Sequence, residues 1–294
     1  MRAETSRSSA RRAWPSVAAF AVAAAFAATS LGGILLPSTY ARETASWRAQ
    51  GIGQDWFDLL VLIPVLIASG ARAFTGSRTA RIVLGGALLY AVYSFVLYAF
   101  DVHFNALFLV YCAGLGVSFF SLAGLLADAL REDARTWFDD GAPVRLAGYF
   151  LAAVGVLFSA LWLSEVGPAL ARGTIPSSLT EGGFFTNPVH VLDLSLLLPA
   201  MIASGVSLAR RRSFGYAVGP MMLVFNVIMP LAIIGMFISM RMQGVPTDLT
   251  PVPVLGAIVL ASLGILAALV RRLRTEGGPA STSDGASIGV RPLG

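Results

Sequence analysis

The sequence contains no lysine, because all 21 of its basic residues are arginine. Without a lysine amine no Schiff base can form, so a covalently attached retinal or pyridoxal cofactor is excluded. Charged residues make up only 13% of the 294 residues, against about 25% in a typical soluble protein. Apolar residues take their place, since 56% of the chain is hydrophobic. This composition is typical of a protein that crosses a membrane several times.

Cysteine and histidine are also scarce. Cys112 is the single cysteine, so neither an intrachain disulfide nor a redox-active thiol pair can form. Its apolar surroundings predict a small buried side chain. The two histidines, His103 and His190, do not occur in a spacing that is typical of metal ligands. We therefore expect neither a metal nor a cofactor.

Eight apolar segments follow one another, each close to the ~20 residues that a membrane-spanning helix needs. Backbone groups in lipid must form hydrogen bonds within their own segment, so the segments are predicted to be helices. The fold class is therefore all-α, a polytopic membrane protein with eight transmembrane helices. The predicted spans are 15–36, 56–74, 80–100, 104–127, 146–164, 189–208, 214–240 and 252–270.

Arginines are concentrated in alternate loops between these spans. If the N-terminus is cytoplasmic, 17 arginines fall in cytoplasmic segments and four fall outside. The positive-inside rule then predicts that both termini are cytoplasmic and that the protein lies in the inner (plasma) membrane. The lipid bilayer is thus the expected partner, and the pI near 9.9 requires no nucleic acid.

Two stretches of the chain nearly repeat each other at a distance of 135 residues. DLLVLIPVLIASG begins at Asp58 and DLSLLLPAMIASG begins at Asp193, and eight of the thirteen positions are identical. The same offset carries the first predicted helix onto the fifth and the second onto the sixth. Because each half has an even number of spans, both halves enter the membrane in the same direction. The chain is therefore predicted to be a parallel 4+4 internal repeat.

The repeat divides the chain into five predicted parts. The long outer segments 37–55 and 165–188 are unusual for loops, so we expect them to cover or line something. The parts are a cytoplasmic N-terminal tail (1–13), a first four-helix repeat (14–130), a cytoplasmic linker (131–145), a second four-helix repeat (146–274) and a disordered cytoplasmic tail (275–294).

Asp58 and Asp193 lie near the outer ends of their helices, at the same place in the repeat. One interpretation is structural, because a carboxylate near a helix N-terminus caps free amides and offsets the helix dipole. Asp55 with Asp58 would form one such cap, and Asn187 would cap the second helix. The other interpretation is functional, because acidic residues that face a bundle interior mark ion or proton paths. Both interpretations stay open here.

Prolines and an asparagine interrupt the apolar spans. Pro64 and Pro199 each follow a repeated aspartate by six residues, and each is predicted to kink its helix and free a carbonyl. Pro220 and Pro230 flank Asn226 in the seventh span. Asn226 either bonds neighbouring helices together or lines a polar cavity.

The outer side of the membrane also holds both histidines in this topology. His103 lies in the turn between the third and fourth spans, and His190 opens the sixth. With Asp58, Asp193 and Asn226 they are the candidates for binding a small solute or an ion. The chain has no phosphate-binding loop, dinucleotide fingerprint or nucleophile elbow, so no catalytic residue is assigned.

Three longer motifs give the chain a family resemblance. They are GQDWFDLLVLIPVLIASG, YAFDVHFNALFLVY and NPVHVLDLSLLLP, which lie within residues 51–235. This region resembles a family of uncharacterised bacterial multipass membrane proteins that has no established function. The resemblance implies that the start of the second helix and the turn around His103 are features of the outer face. Val102 interrupts the Asp-His-Phe-Asn order of that turn.

Three functions are compatible with the sequence. The preferred one is a small-solute or ion-coupled permease, because of the repeat, the proline-containing helices and the duplicated carboxylates. A non-catalytic accessory or sensor protein would instead have packed halves, no cavity, and carboxylates that act only as caps. An outer-leaflet lipid-modifying enzyme would have a lateral opening near His103 and His190.

Overall fold

The computed structural model describes residues 2–274, with side chains described from Trp14 onward. Within this range the protein is all-helical, and eight helical segments are long and apolar enough to cross a membrane. The predicted fold class and number of spans are therefore confirmed. The predicted disordered tail, 275–294, lies outside the described residues.

Two of the spans consist of two α-helices joined by a π-helical turn. The turn Asp58–Leu62 joins α2 to α3, and the turn Asp193–Leu197 joins α8 to α9. A 3-10 turn, Ala134–Trp137, follows α5. The helices are α1 (Arg2–Leu35), α2 (Ala45–Phe57), α3 (Ile63–Phe74), α4 (Arg78–Phe100), α5 (Phe108–Arg131), α6 (Val144–Arg172), α7 (Ser177–Gly182), α8 (Pro188–Leu192), α9 (Leu198–Ala209), α10 (Ser213–Met242) and α11 (Pro251–Val270).

The second span begins eleven residues earlier than the apolar pattern predicts. Thr44 caps α2 by accepting a hydrogen bond from the Trp47 backbone N–H at 3.2 Å. Asp55 and Asp58 therefore lie well inside a helical span, so of the two open interpretations the structure rules out the one in which they cap its N-terminus. The pattern misses this part of the helix because its polar side chains, including Gln54 and Asp55, turn into the protein and are buried.

Each repeated stretch has the same backbone irregularity at the same place. The π-helical turn begins at the repeated aspartate, and Pro64 or Pro199 follows at the second position of the next α-helix. Proline has no N–H, and its ring crowds the carbonyl four residues earlier. A wider turn before the proline relieves that crowding. Pro220 and Pro230 instead lie within α10, which is helical from Ser213 to Met242.

The first four spans form a closed bundle, and the last four do not. In the first set α1 packs against α3 and α5, and α4 completes the ring. In the second set α6 packs against α9, α9 against α10 and α10 against α11, but α6 and α11 barely touch. The central helix α10 also packs against α2 and α4, and so joins the two sets.

Glycines allow the closest helix contacts. A methyl group on Gly53 of α2 would lie 2.7 Å from the Met236 Cα of α10. A methyl group on Gly205 of α9 would lie 2.6 Å from the Gly148 carbonyl oxygen of α6. Larger side chains at these positions would force the helices apart.

The two ends of the bundle differ in arginine content. At the arginine-rich end, the predicted linker 131–145 contacts the residues that follow α11. The Arg274 backbone N–H donates to the Trp137 carbonyl at 2.8 Å. The Arg81 guanidinium lies 4.6 Å above the Trp137 ring, which is only 2% exposed. This end consists of residues 75–77, 132–143, 210–212 and 271–274, and the arginine-poor end consists of residues 36–44, 101–107, 173–187 and 243–250.

Large apolar side chains are exposed along the sides of the spans, as expected for surfaces that face lipid. Examples are Leu60, Phe120 and Leu260. Cys112 is exposed on α5 as well, so the prediction that it is buried is wrong. An apolar neighbourhood in the sequence of a membrane helix does not distinguish a lipid-facing position from a core position.

Candidate functional site

A cavity of about 330 Å³ lies between the two sets of spans, near the arginine-poor end. Helices α2 and α4 of the first set and α6, α8, α9, α10 and α11 of the second set contribute to its wall. Its volume falls in the range of ~300–1,000 Å³ that is typical of small-molecule sites. Most of the lining is apolar, and its polar side chains include Tyr93, Trp162, His190, Asp193 and Asn226.

The segment from Gly173 to Asn187, which contains α7, covers the cavity. Its residues Ser178, Glu181, Phe184 and Asn187 line the cavity wall. This segment is attached to the first set of spans, because the Thr44 hydroxyl donates to the Glu181 carbonyl at 3.0 Å. The expectation that the second long outer segment lines something is therefore confirmed.

Asp193 is a buried carboxylate on the cavity wall, where it is only 7% exposed. Its Oδ2 accepts a hydrogen bond from Trp162 Nε1 at 2.8 Å. The Tyr93 hydroxyl lies within hydrogen-bonding reach of the same carboxylate, although its Oδ1 has no hydrogen bond of good geometry within the described part of the chain. A buried charged group with few donors is costly, by about 1–3 kcal/mol or more. A cationic ligand beside the carboxylate would offset this cost.

His190 belongs to the same wall as Asp193. The centroids of the His190 and Trp162 rings are 4.6 Å apart. Its Nε2 lies 3.5 Å from Glu165 Oε2, and the side chain is buried. Asn187 places this residue by capping α8, because its side chain accepts from the His190 backbone N–H at 3.2 Å. The predicted Asn187 cap is thus confirmed.

Asn226 also lines the cavity, from α10. It is buried, and its Nδ2 lies 3.8 Å from the Met201 sulfur. Sulfur is a weak acceptor, so the amide keeps hydrogen-bonding capacity for a ligand. Pro230 lines the cavity too.

Asp58 occupies a different environment from Asp193. Asp55 and Asp58 are both fully buried, and tyrosine hydroxyls surround them. Tyr40 donates to Asp55 Oδ2 and Tyr98 donates to Asp55 Oδ1, both at 2.9 Å. Tyr90 donates to Asp58 Oδ1 at 3.0 Å, and the Tyr98 hydroxyl lies 3.5 Å from Asp58 Oδ2. This carboxylate pair is internally satisfied.

Sequence reasoning missed these three tyrosines, although a signal was present. Each is a hydroxyl-bearing residue in or beside an apolar span, and none has a counterpart with a hydroxyl at the repeat offset. The residues found 135 positions after Tyr40, Tyr90 and Tyr98 are Ile175, Phe225 and Ile233.

The pKa of Tyr40 is raised well above its usual value, first by burial and then by the neighbouring Asp55 carboxylate. Its hydroxyl therefore remains a hydrogen-bond donor.

His103 lies away from the cavity, in the turn after α4. Its Nδ1 is 3.1 Å from Glu43 Oε1, and its backbone N–H donates to the same oxygen at 2.9 Å. In the same turn, the pKa of Asp101 is raised to about 7. Burial is the main cause and the nearby charge of Glu43 is the next, while His103 acts in the opposite direction. Within residues 14–274, no group of three or more potential ligands could hold a metal ion.

The structure thus brings three of the five candidate binding residues to one cavity. Asp193, His190 and Asn226 line it. Asp58 lies in the tyrosine cluster and His103 beside Glu43. The two repeated carboxylates therefore have different surroundings.

Comparisons with known proteins give no further guide to identity. None of the family models matches the chain, and neither a curated protein nor a solved structure is similar enough to count as a match. The family resemblance therefore rests on its motifs, and a bacterial origin has no support. The eight apolar helices do support a multipass membrane protein.

Proposed function

We propose that the protein is a permease for a small solute or ion and that the cavity is its binding site. The observation that carries this proposal is the buried carboxylate of Asp193, which lines the cavity. Intramembrane carboxylates that face a bundle interior mark transport pathways in many membrane proteins.

We also propose that the chain is a parallel 4+4 repeat with both termini cytoplasmic. Its support is the π-helical turn that begins at Asp58 and recurs at Asp193, 135 residues later. Gly70 and Gly205, also 135 residues apart, each lie against the backbone of the preceding span. In transporters with internal repeats the substrate lies between the repeats, and this cavity lies between the two sets of spans.

Two features toward the ends of the protein suit a carrier. Toward the arginine-poor end, residues of segment 173–187 contribute to the cavity wall. Toward the arginine-rich end, the close approach of Gly148 and Gly205 packs α6 against α9. A carrier would rearrange these two regions alternately.

A lipid-modifying enzyme is the second candidate. The sparse contact between α6 and α11 beside the cavity favours it, because a lipid substrate needs a lateral opening. His190 and Asp193 would then carry the acid–base steps. An accessory protein would not need the cavity.

Two-sided labelling of a single cysteine in the cavity tests the permease proposal. Met229 lines the cavity without belonging to its polar groups. In a Cys112→Ser background, Met229→Cys is treated from either side of sealed vesicles with a charged, membrane-impermeant methanethiosulfonate. A permease exposes the cavity to each side in turn, so we expect modification from both sides.

Two further cysteines serve as controls. Ile175→Cys, at an exposed position of segment 173–187 that does not line the cavity, should react from the arginine-poor side alone. Leu260→Cys, which is 72% exposed on the lipid-facing side of α11, should not react. Modification of Met229→Cys from one side only would contradict alternating access and leave the enzyme and accessory alternatives.

A further inference from the structure

We propose that the ligand of this cavity is a lipophilic ammonium ion, an apolar molecule with one positively charged nitrogen. We infer that it reaches the cavity from the bilayer, through the gap between α6 and α11. This inference rests on the proposed function only because both concern the same cavity. Ligand binding is measured separately from transport, so the two can fail independently.

The charges around the cavity favour a cation. The acidic side chains are Asp193 and Glu181 in the wall and Glu165 behind His190. Among the described residues that line the cavity there is no arginine, and the chain has no lysine. His190 is thus the one basic side chain of the wall.

An ammonium group suits the Asp193 carboxylate better than a neutral donor. The carboxylate lines the cavity, and an N–H donor with a positive charge supplies both a hydrogen bond and the compensating charge. Charge-assisted hydrogen bonds are roughly twice as strong as neutral ones. An anion would instead meet the carboxylate at close range in a medium of low dielectric constant.

Aromatic rings stand beside the carboxylate, where they can contact a cationic nitrogen. Trp162 donates to Asp193 and also lies 4.6 Å from the His190 ring, centroid to centroid. The Tyr93 hydroxyl lies within hydrogen-bonding reach of the same carboxylate. Ring faces attract ammonium groups. The remaining wall suits an apolar body, and it includes Val154, Phe158, Leu198, Met229, Leu255 and Ile258.

The gap between α6 and α11 gives a route from the bilayer. No residue of α6 between 156 and 168 is buried, although Phe158 and Trp162 line the cavity from this stretch. Leu255 and Ile258 of α11 line the opposite side. In the first set of spans the corresponding first and fourth helices, α1 and α5, pack closely and leave no such gap.

Calorimetry with three matched probes tests the ligand class. The protein in phosphatidylcholine nanodiscs is titrated with phenylbutylamine, phenylbutanol and phenylbutyrate, which share one apolar body. We expect the amine to bind at least about tenfold more tightly than the alcohol, and the acid not to bind. Asp193→Asn should weaken amine binding about tenfold and leave alcohol binding unchanged. Asp248→Asn, which removes an exposed carboxylate, should change neither.

A second pair of variants keeps the test valid if Asp193→Asn does not fold. Ile258→Trp fills the cavity, and Leu260→Trp adds the same bulk on the lipid-facing side of the same helix. We expect Ile258→Trp to weaken amine binding about tenfold and Leu260→Trp to leave it unchanged. Equal binding of amine and alcohol, or wild-type amine binding by Ile258→Trp, would overturn the inference.

The outcomes also separate this inference from the permease proposal. Asp193-dependent amine binding without two-sided labelling of Met229→Cys would refute the permease and retain the ammonium site. Two-sided labelling without any preference for the amine would refute the ammonium site and retain the permease.

Discussion

Three tyrosine hydroxyls supply the hydrogen bonds that hold Asp55 and Asp58 inside a membrane-spanning helix. Tyr98 has the central position, because its hydroxyl contacts both carboxylates and its side chain also lines the cavity. Asp193 accepts a hydrogen bond from Trp162 and lies within reach of the Tyr93 hydroxyl, but unlike Asp55 and Asp58 it lines the cavity. Contact with the cavity therefore distinguishes Asp193 from the enclosed carboxylate pair.

Removal of the Tyr98 hydroxyl should destabilise the protein. Tyr98→Phe leaves Asp55 Oδ1 buried without its donor, and the cost of such a group is about 1–3 kcal/mol. We expect the free energy of unfolding, measured in mixed detergent micelles, to fall by that amount. Tyr149→Phe is the matched control, because Tyr149 is exposed on α6; equal stability of the two variants would show that the Tyr98 hydrogen bond contributes nothing.

At the scale of secondary-structure elements, small residues determine how closely helices pack. Gly53 lets α2 approach α10 at the boundary between the two sets of spans. The same boundary is tied by the Ser239 hydroxyl, which donates to the Ala49 carbonyl at 2.7 Å. Close packing here, together with looser packing of α4 against α8, leaves the cavity on one side of α10.

Gly53→Ala should separate α2 from α10. The added methyl group would lie 2.7 Å from Met236 Cα and 2.8 Å from the Gly235 carbonyl oxygen. Overpacking of this kind costs about 1–3 kcal/mol, which we expect to see as a lower unfolding free energy.

Gly167→Ala is the control for the same substitution in an uncrowded helix. Nothing lies within 4 Å of its added methyl group. It should be neutral or stabilising by up to about 1 kcal/mol, because alanine is the better helix former. A stabilising effect of Gly53→Ala would mean that the α2–α10 contact can relax freely.

At the scale of the whole molecule, arginine content differs along the length of the bundle, whereas helix packing differs between the two sets of spans. Arginines distinguish one end of the bundle from the other. Packing distinguishes the closed first set of spans from the open second set. The cavity lies where the open second set meets α2 and α4 of the first set.

The orientation in the membrane is a prediction that fusion proteins can test. Arginine is retained on the cytoplasmic side, so green fluorescent protein fused after Gly294 should fluoresce. Alkaline phosphatase, which folds only outside the cytoplasm, should be active when it is fused after Gly173. Phosphatase activity at the C-terminus would reverse the proposed topology.

The sequence by itself determined the class of protein and the number of spans, because every helix in lipid needs a long apolar segment. It also indicated Asp193, His190 and Asn226, since polar residues in such segments are conspicuous. It misplaced the start of α2 and the role of Asp55, because a polar helix that is buried in protein looks like a loop. Tertiary structure alone decided that Asp58 is enclosed by tyrosines while Asp193 faces a cavity. Contacts between distant spans make that difference, and they have no local signature in two stretches of nearly the same sequence.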